Sequence, residues 1–127
     1  KFGEASTIFV TNKFIFPWKM PLPQCNFKDG YRSGVKSGNV EMAMWCHVNG
    51  TILIPILLGN PLCPIKTKCS STLALCEELK QELHGTFVKM NWQLLFNLMA
   101  LDDETTILSG SVCRLRELDM EAVGTDF

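Results

Sequence analysis

Apolar side chains occupy every second position from Val40 to Val48, and this is the clearest periodic pattern in the chain. Because successive side chains of a strand point to opposite faces, the alternation predicts a β-strand with one apolar face. An Asn49-Gly50 pair separates this strand from the apolar run at 51–58, and Asn-Gly is the strongest short signal for a tight turn between strands. The pattern therefore predicts a β-hairpin that turns at Asn49-Gly50.

The remaining segments divide between strand and helix. Segments 7–18, 87–99 and 105–118 are predicted to be further strands, the first because it is rich in β-branched and aromatic residues. Residues 70–83 interrupt this pattern, because they are mostly good helix formers and begin with serines suited to a helix N-cap. Local propensity thus predicts one helix near 70–83 packed on an antiparallel sheet, which is an α+β fold.

Composition limits the classes of protein to which the chain can belong. Its 127 residues predict a single domain at 1–127, and 46% hydrophobic with 20% charged residues exclude a disordered chain. The 12 basic and 13 acidic side chains leave a net charge of -1, without the basic excess of a nucleic-acid-binding protein. The most apolar run, 51–58, is interrupted by Pro55 and is far shorter than the roughly 20 residues that cross a bilayer, so no transmembrane segment is predicted.

Six cysteines bear on the redox state and the compartment of the protein. In a secreted chain they would permit up to three disulfides, in any of fifteen pairings. Their spacing does not match a zinc site, whose ligands come in pairs about two to four residues apart, and neither a metal nor another cofactor is predicted. Cys46 lies in an apolar run and is predicted to be a thiol in the core. The Asn49-Gly50-Thr51 sequon at the predicted turn makes Asn49 a candidate for glycosylation.

No motif of an enzyme is present in the sequence. Adjacent carboxylates occur at 77–78 and 102–103, but neighbouring side chains diverge on both strands and helices and would not share a proton. A nucleophilic pair such as Cys46 with His84, or Cys76 with His47, would require a fold that brings them together. The chain is therefore predicted not to be an enzyme.

Several short segments resemble one protein family in their order and spacing. They are Gln24-Cys25-Asn-Phe-Lys-Asp-Gly30, Cys63-Pro-Ile65, Trp92-Gln-Leu94 and Cys113, behind an opening Lys1-Phe2. Together they resemble the MD-2-related lipid-recognition (ML) family, and within it the Niemann-Pick type C2 group. The chain departs from the family at Ala5 and Met20, where partner cysteines of its disulfides are expected.

The resemblance implies an all-β fold, an immunoglobulin-like β-sandwich of two antiparallel sheets with an apolar slot between them. It further implies a disulfide-bonded, monomeric glycoprotein, secreted or in the endolysosomal lumen, that carries a sterol, fatty acid or phospholipid and makes transient membrane or receptor contacts. The alternative is a cytosolic α+β protein–protein interaction domain with reduced cysteines. Apolar residues near the slot are expected to bind the lipid, unless they pack in an ordinary core: Met42, Met44, Ile54, Ile56, Leu79, Leu83, Phe87, Met90 and Trp92.

Overall fold

Helices make up 85% of the residues that the computed structural model of the chain describes, which are 2–15, 26–99, 110 and 112. No β-strand occurs among them. One long helix, Val40–Leu57, is made of three continuous elements: α3 (Val40–Val48), a π turn (Asn49–Leu53) and α4 (Ile54–Leu57). In chain order the elements are α1 (Phe2–Val10), a first π turn (Thr11–Ile15), α2 (Phe27–Ser37), α3 (Val40–Val48), a second π turn (Asn49–Leu53), α4 (Ile54–Leu57), α5 (Leu62–Glu78) and α6 (Glu82–Leu98).

The predicted all-β fold, a β-sandwich of the ML-domain type with an apolar slot between its sheets, is wrong. The hairpin at Asn49-Gly50 is wrong as well, because this pair lies inside the long helix. The helix begins at Asn39, whose side chain accepts a hydrogen bond of 3.4 Å from the backbone N–H three residues later. The alternating pattern was misleading because Ala43 and Met44, on the two supposed strand faces, are both fully buried. A helix that is buried on several sides is apolar nearly all round.

The alternative α+β fold is also wrong, because the described residues contain no sheet on which a helix could pack. Its helix near 70–83 is confirmed only for 70–78, where α5 ends in a Schellman motif. Lys80 takes a left-handed φ of 55° in this motif, and the N–H of Gln81 donates to the carbonyl of Cys76 at 2.8 Å. The chain then reverses and enters α6, so that α5 and α6 form a helical hairpin.

Of the other predicted strands, the segments 7–15 and 87–98 are helical. Residues 16–18 lie outside the described part of the chain, and so does the strand predicted at 105–118, apart from 110 and 112. The error at 87–98 has the same origin as the error at 40–48, because α6 also buries residues on more than one side.

Two glycines allow α2 and the long helix to pack very close together in antiparallel directions. A Cβ atom on Gly34 would lie 2.7 Å from the Cβ of Ala43, and one on Gly30 would lie 2.5 Å from the Sγ of Cys46. Both distances are shorter than real Cβ atoms show, so a side chain at either glycine would push the helices apart. Contact between backbones therefore sets the separation of these two helices.

The core lies where the long helix meets α5 and α6. Ile52, in the second π turn, is fully buried there, although Pro55 follows in the same helix. Proline has no N–H to donate to the carbonyl four residues earlier, and its ring crowds that carbonyl, so a wider turn just before it lets the helix continue. The buried members of this core are Met44, Val48, Ile52, Ile65, Cys69, Cys76, Val88 and Leu95.

The long helix is long and apolar enough to cross a membrane, although the sequence predicted no such segment. That criterion rests on length and composition, and a core helix of a soluble protein meets it too. In this fold the helix packs against α1, α2, α5 and α6, and 33% of it is buried.

Candidate ligand-binding groove

A groove of about 680 Å³ runs along the contact between α2 and the long helix. It is lined by His47, Thr51 and Ile54 of the long helix and by Leu58, the residue that caps its C-terminus, and these four share one face because they are three or four residues apart. These positions extend over roughly 16 Å at the helical rise of about 1.5 Å per residue. The groove is therefore as long as three turns of helix, and regular elements form its walls.

The opposite wall is one face of α2, with Phe27, Lys28, Tyr31 and Arg32. Phe27 reaches the long helix because Gly50 has no side chain: a Cβ there would lie 2.9 Å from the Cβ of Phe27. The helix itself begins at Asn26, whose side chain accepts a hydrogen bond from the backbone N–H of the third residue of the helix at 3.4 Å. The cap and the glycine contact thus hold this wall in place before any ligand arrives.

The floor of the groove is uncharged at neutral pH. The rings of Tyr31 and His47 lie 4.9 Å apart, and burial lowers the pKa of His47 from its usual value. Burial also raises the pKa of the neighbouring Cys46 to about 11, so that it stays a protonated thiol. Ile54 and Pro55 add apolar surface beside them. A ligand that enters the groove therefore meets an apolar and aromatic floor.

The rim, in contrast, is cationic. Lys28 and Arg32 stand on the α2 wall, and Lys68 of α5 also lines the groove. No described residue that lines the groove is acidic. Arg32 approaches Asp29 at 3.9 Å, but the two side chains are 67% and 57% exposed, and such a surface pair contributes little. The positive charge of the rim is therefore left open to solvent.

The structure brings only one of the predicted lipid-binding residues, Ile54, to this groove. Met44 is fully buried in the core, and Ile56, Phe87 and Trp92 pack against the same core. These four residues thus pack in an ordinary core, which is the alternative to lipid binding that the sequence analysis left open. The others lie elsewhere: Met42 and Met90 are half-buried, and Leu79 and Leu83 are exposed near the turn between α5 and α6.

Sequence reasoning missed Lys28, Tyr31, Arg32 and His47 as members of one site. The first three lie at helical spacing behind the capping residue Asn26, which is a signal that the sequence does contain. Their meeting with His47 depends on the close approach of two helices, and no local pattern reports that approach.

The candidate glycosylation site, Asn49, is not on an accessible turn. It is 1% exposed, and its side-chain amide donates to the carbonyl of Trp45 at 2.7 Å. Its side-chain oxygen accepts a hydrogen bond of 2.5 Å from the Nζ of Lys13, and burial lowers the pKa of that lysine. These contacts tie the first π turn to the long helix, and the folded chain does not present Asn49 to a glycosylating enzyme.

The described cysteines carry free thiols, and the prediction that Cys46 lies in the core is confirmed. Cys46 faces the carbonyl of Ala5 at 3.9 Å, whereas the Nε2 of His84 lies 3.1 Å from the carbonyl of Glu41. The thiol and the imidazole that sequence analysis considered as a nucleophilic pair thus have separate partners. Burial raises the pKa of Cys76 as well. Cys25 and Cys113 lie outside the described residues.

Acid is expected to destabilise the fold through His84, which is 2% exposed and whose ring lies 4.3 Å from the ring of Trp45, tilted by 50°. Burial is the main reason that its pKa is lowered, and no described residue accepts a hydrogen bond at its Nδ1, where a second proton would bind. As the pH falls below about 6.5, His84 therefore binds a proton in the unfolded chain before it does so in the folded chain. The stability that the fold has above that pH is then lost. The melting temperature should fall between about pH 7.5 and about pH 5.5, and fall less in His84→Gln, which keeps an N–H donor.

The same measurement on His47→Gln provides a comparison, because His47 is half-buried and its pKa is also lowered by burial. The chain has only these two histidines, so the two variants together separate their contributions. Identical pH profiles for the original chain and His84→Gln would contradict the buried, neutral state of His84.

Comparison with family models, with curated proteins and with solved structures gives no match for this chain. The resemblance to the ML family therefore stays a prediction, although the β-sandwich that it implied is wrong. Among residues 2–15 and 26–99, no three His, Cys, Asp or Glu side chains lie together in a way that could hold a metal ion.

Proposed function

We propose that this chain is a non-catalytic α-helical interaction module that binds a segment of a partner protein in the groove between α2 and the long helix. The observation that carries this proposal is the groove itself: it lies beside the close glycine contacts of α2 with the long helix, and its lining residues on the long helix extend over about 16 Å. A groove between helices is a common place for an extended or helical segment of another protein to bind.

The architecture supports this function. α2 with the long helix, and α5 with α6, are consecutive helices packed as hairpins. Proteins built from stacked helical hairpins offer their concave surfaces to partners. The glycine contacts hold the two walls at a fixed distance, and a wall that does not have to be ordered on binding lowers the entropic cost of association.

The chemistry of the groove favours binding over catalysis. Its thiol, Cys46, is protonated at neutral pH because burial raises its pKa, and the adjacent His47 faces the ring of Tyr31. The proposal keeps the function that the α+β alternative implied, although that fold is wrong. Carriage of a lipid stays a prediction, and this groove is a place where such a ligand could lie, because the described residues form no sheets that could enclose a slot.

The test is a selection from a phage-displayed library of random peptides on the immobilised chain. Peptides enriched on the original chain should lose roughly tenfold or more of their affinity for Ile54→Asp, which puts a charge on the apolar floor. Val35→Asp is the matched control, because Val35 is 54% exposed on α2 and does not line the groove. The affinity of the enriched peptides for Val35→Asp should equal their affinity for the original chain.

Circular dichroism establishes that each variant is folded, and Leu58→Asp repeats the test at a second groove position that is 39% exposed. A selection that enriches no peptide contradicts the proposal. So does a set of peptides that bind the original chain, Ile54→Asp and Leu58→Asp equally well.

A further inference from the structure

We infer that the partner segment for this groove is acidic, with apolar side chains between its carboxylates. The inference rests on the proposed function and adds to it the chemistry of the partner. It follows from the contrast between a cationic rim and an uncharged floor in the same groove.

The charge of the rim is local to this surface. The whole chain is close to neutral, with 12 basic and 13 acidic side chains. The groove, however, is lined by Lys28, Arg32 and Lys68 and by no acidic residue of the described chain. Charges of one sign along a cleft attract a ligand of the opposite sign and reject one of the same sign. A basic segment is therefore excluded, and an acidic one is drawn in.

The three cations belong to two helices rather than to one. Lys28 and Arg32 are one helical turn apart on α2, and Lys68 belongs to α5. Carboxylates spaced along a peptide could approach the cations of both helices at once. A fatty acid carries a single carboxylate and would leave at least one of these cations without a partner. The placement of charge thus favours a peptide over a fatty acid.

The apolar floor between the cations favours a partner segment with apolar side chains. Ile54, Pro55 and Leu58 line it from the long helix, and Phe27 lines it from α2. Apolar surface removed from water here contributes about 25 cal/mol per Å², and this contribution does not depend on salt. Recognition then combines an apolar anchor, which sets the affinity, with carboxylates, which set the specificity and the rate of association.

Three dye-labelled peptides of about a dozen residues test the inference by fluorescence anisotropy. They share the same two leucines and differ only in the flanking residues, which are Asp and Glu, Asn and Gln, or Lys. The acidic peptide should bind roughly tenfold or more tightly than the neutral one, and the Lys peptide should not bind measurably. The affinity of the acidic peptide should also fall as the salt concentration is raised above about 0.1 M, because salt then screens charge–charge attraction over distances longer than about 10 Å.

A double charge reversal identifies the surface. Lys28→Glu with Lys68→Glu should weaken the acidic peptide by roughly tenfold or more and should bring the Lys peptide into measurable binding. Lys36→Glu with Lys80→Glu makes the same change of net charge at residues that do not line the groove, and should leave both affinities as they were. All four lysines are exposed, so the folded state should persist in both variants.

The outcomes separate this inference from the proposed function. Equal binding of the acidic and neutral peptides, lost in Ile54→Asp, would overturn the acidic preference and leave the interaction module standing. The same holds if none of the three peptides binds while the library yields groove-dependent peptides. If the library also fails, both fall. Oleate that binds at this groove where no peptide does would overturn both and support the carriage of a fatty acid.

Discussion

Gly34→Ala is expected to destabilise the folded chain by about 3 kcal/mol, although alanine is the better helix former. The added Cβ would lie 2.7 Å from the Cβ of Ala43 and 2.9 Å from both its Cα and its backbone N. Backbone atoms cannot rotate away as the end of a long side chain can, so α2 and the long helix must separate. Separation also removes contacts from both walls of the groove, and peptide binding should weaken with stability.

Gly85→Ala is the matched control for this prediction. Gly85 is buried in α6, but its nearest neighbours would be the Cδ1 of Leu73 at 3.5 Å and the Cβ of Cys76 at 3.7 Å, which are ordinary contacts. The gain in helix propensity should therefore stabilise this variant by about 0.5–1 kcal/mol. Urea denaturation followed by circular dichroism measures both variants. Equal stabilities would show that α2 and the long helix do not pack at backbone distance.

The sequence predicted single elements better than it predicted the fold. The helix over 70–78 was found because its residues favour a helix wherever they are placed. The helix at 40–48 was missed because its contacts on several sides require apolar residues at nearly every position, and periods of 2 and 3.6 then fit equally well. Asn39 was the signal that could have decided between them, since its side chain caps a helix start and has no such role before a strand.

The Asn49-Gly50 pair misled for a different reason. Both residues favour turns in isolation, but here the glycine is needed because Phe27 occupies the space where its side chain would be. The asparagine is needed because its amide joins Trp45 and Lys13 inside the fold. Tertiary contacts thus require two residues in this helix whose local preference is for a turn. The sequence of the segment alone does not show these contacts.

The sequence likewise predicted part of the candidate site and missed the part that depends on tertiary contacts. Ile54 was predicted to contact a ligand and does line the groove, but it was chosen by a resemblance whose fold is wrong. The cations Lys28 and Arg32 are visible in the sequence as a pair one helical turn apart. Their relation to Lys68, 36 positions further along the chain, depends on how α5 packs against the long helix. The charge of the rim is therefore a property of the tertiary structure.

Ile52→Ala and Ile54→Ala should have opposite effects on stability and binding, although the two residues are separated by a single position. Ile52 is fully buried in the core that joins the long helix to α5 and α6. Its truncation leaves a cavity and should cost about 3 kcal/mol in the free energy of unfolding. Ile54 is half-buried in the groove wall, where solvent can fill the space, and its truncation should cost about 1 kcal/mol or less.

The binding measurement should show the reverse order. At a temperature where both variants are folded, Ile52→Ala should bind groove-dependent peptides as the original chain does, whereas Ile54→Ala should lose part of the apolar anchor and bind roughly threefold to tenfold more weakly. Residues two positions apart on a helix point about 200° away from each other, so Ile52 faces the core while Ile54 faces the groove. Equal losses of stability for the two variants would mean that the register of the long helix past the π turn is wrong, and the assignment of Thr51, Ile54 and Leu58 to the groove would fall with it.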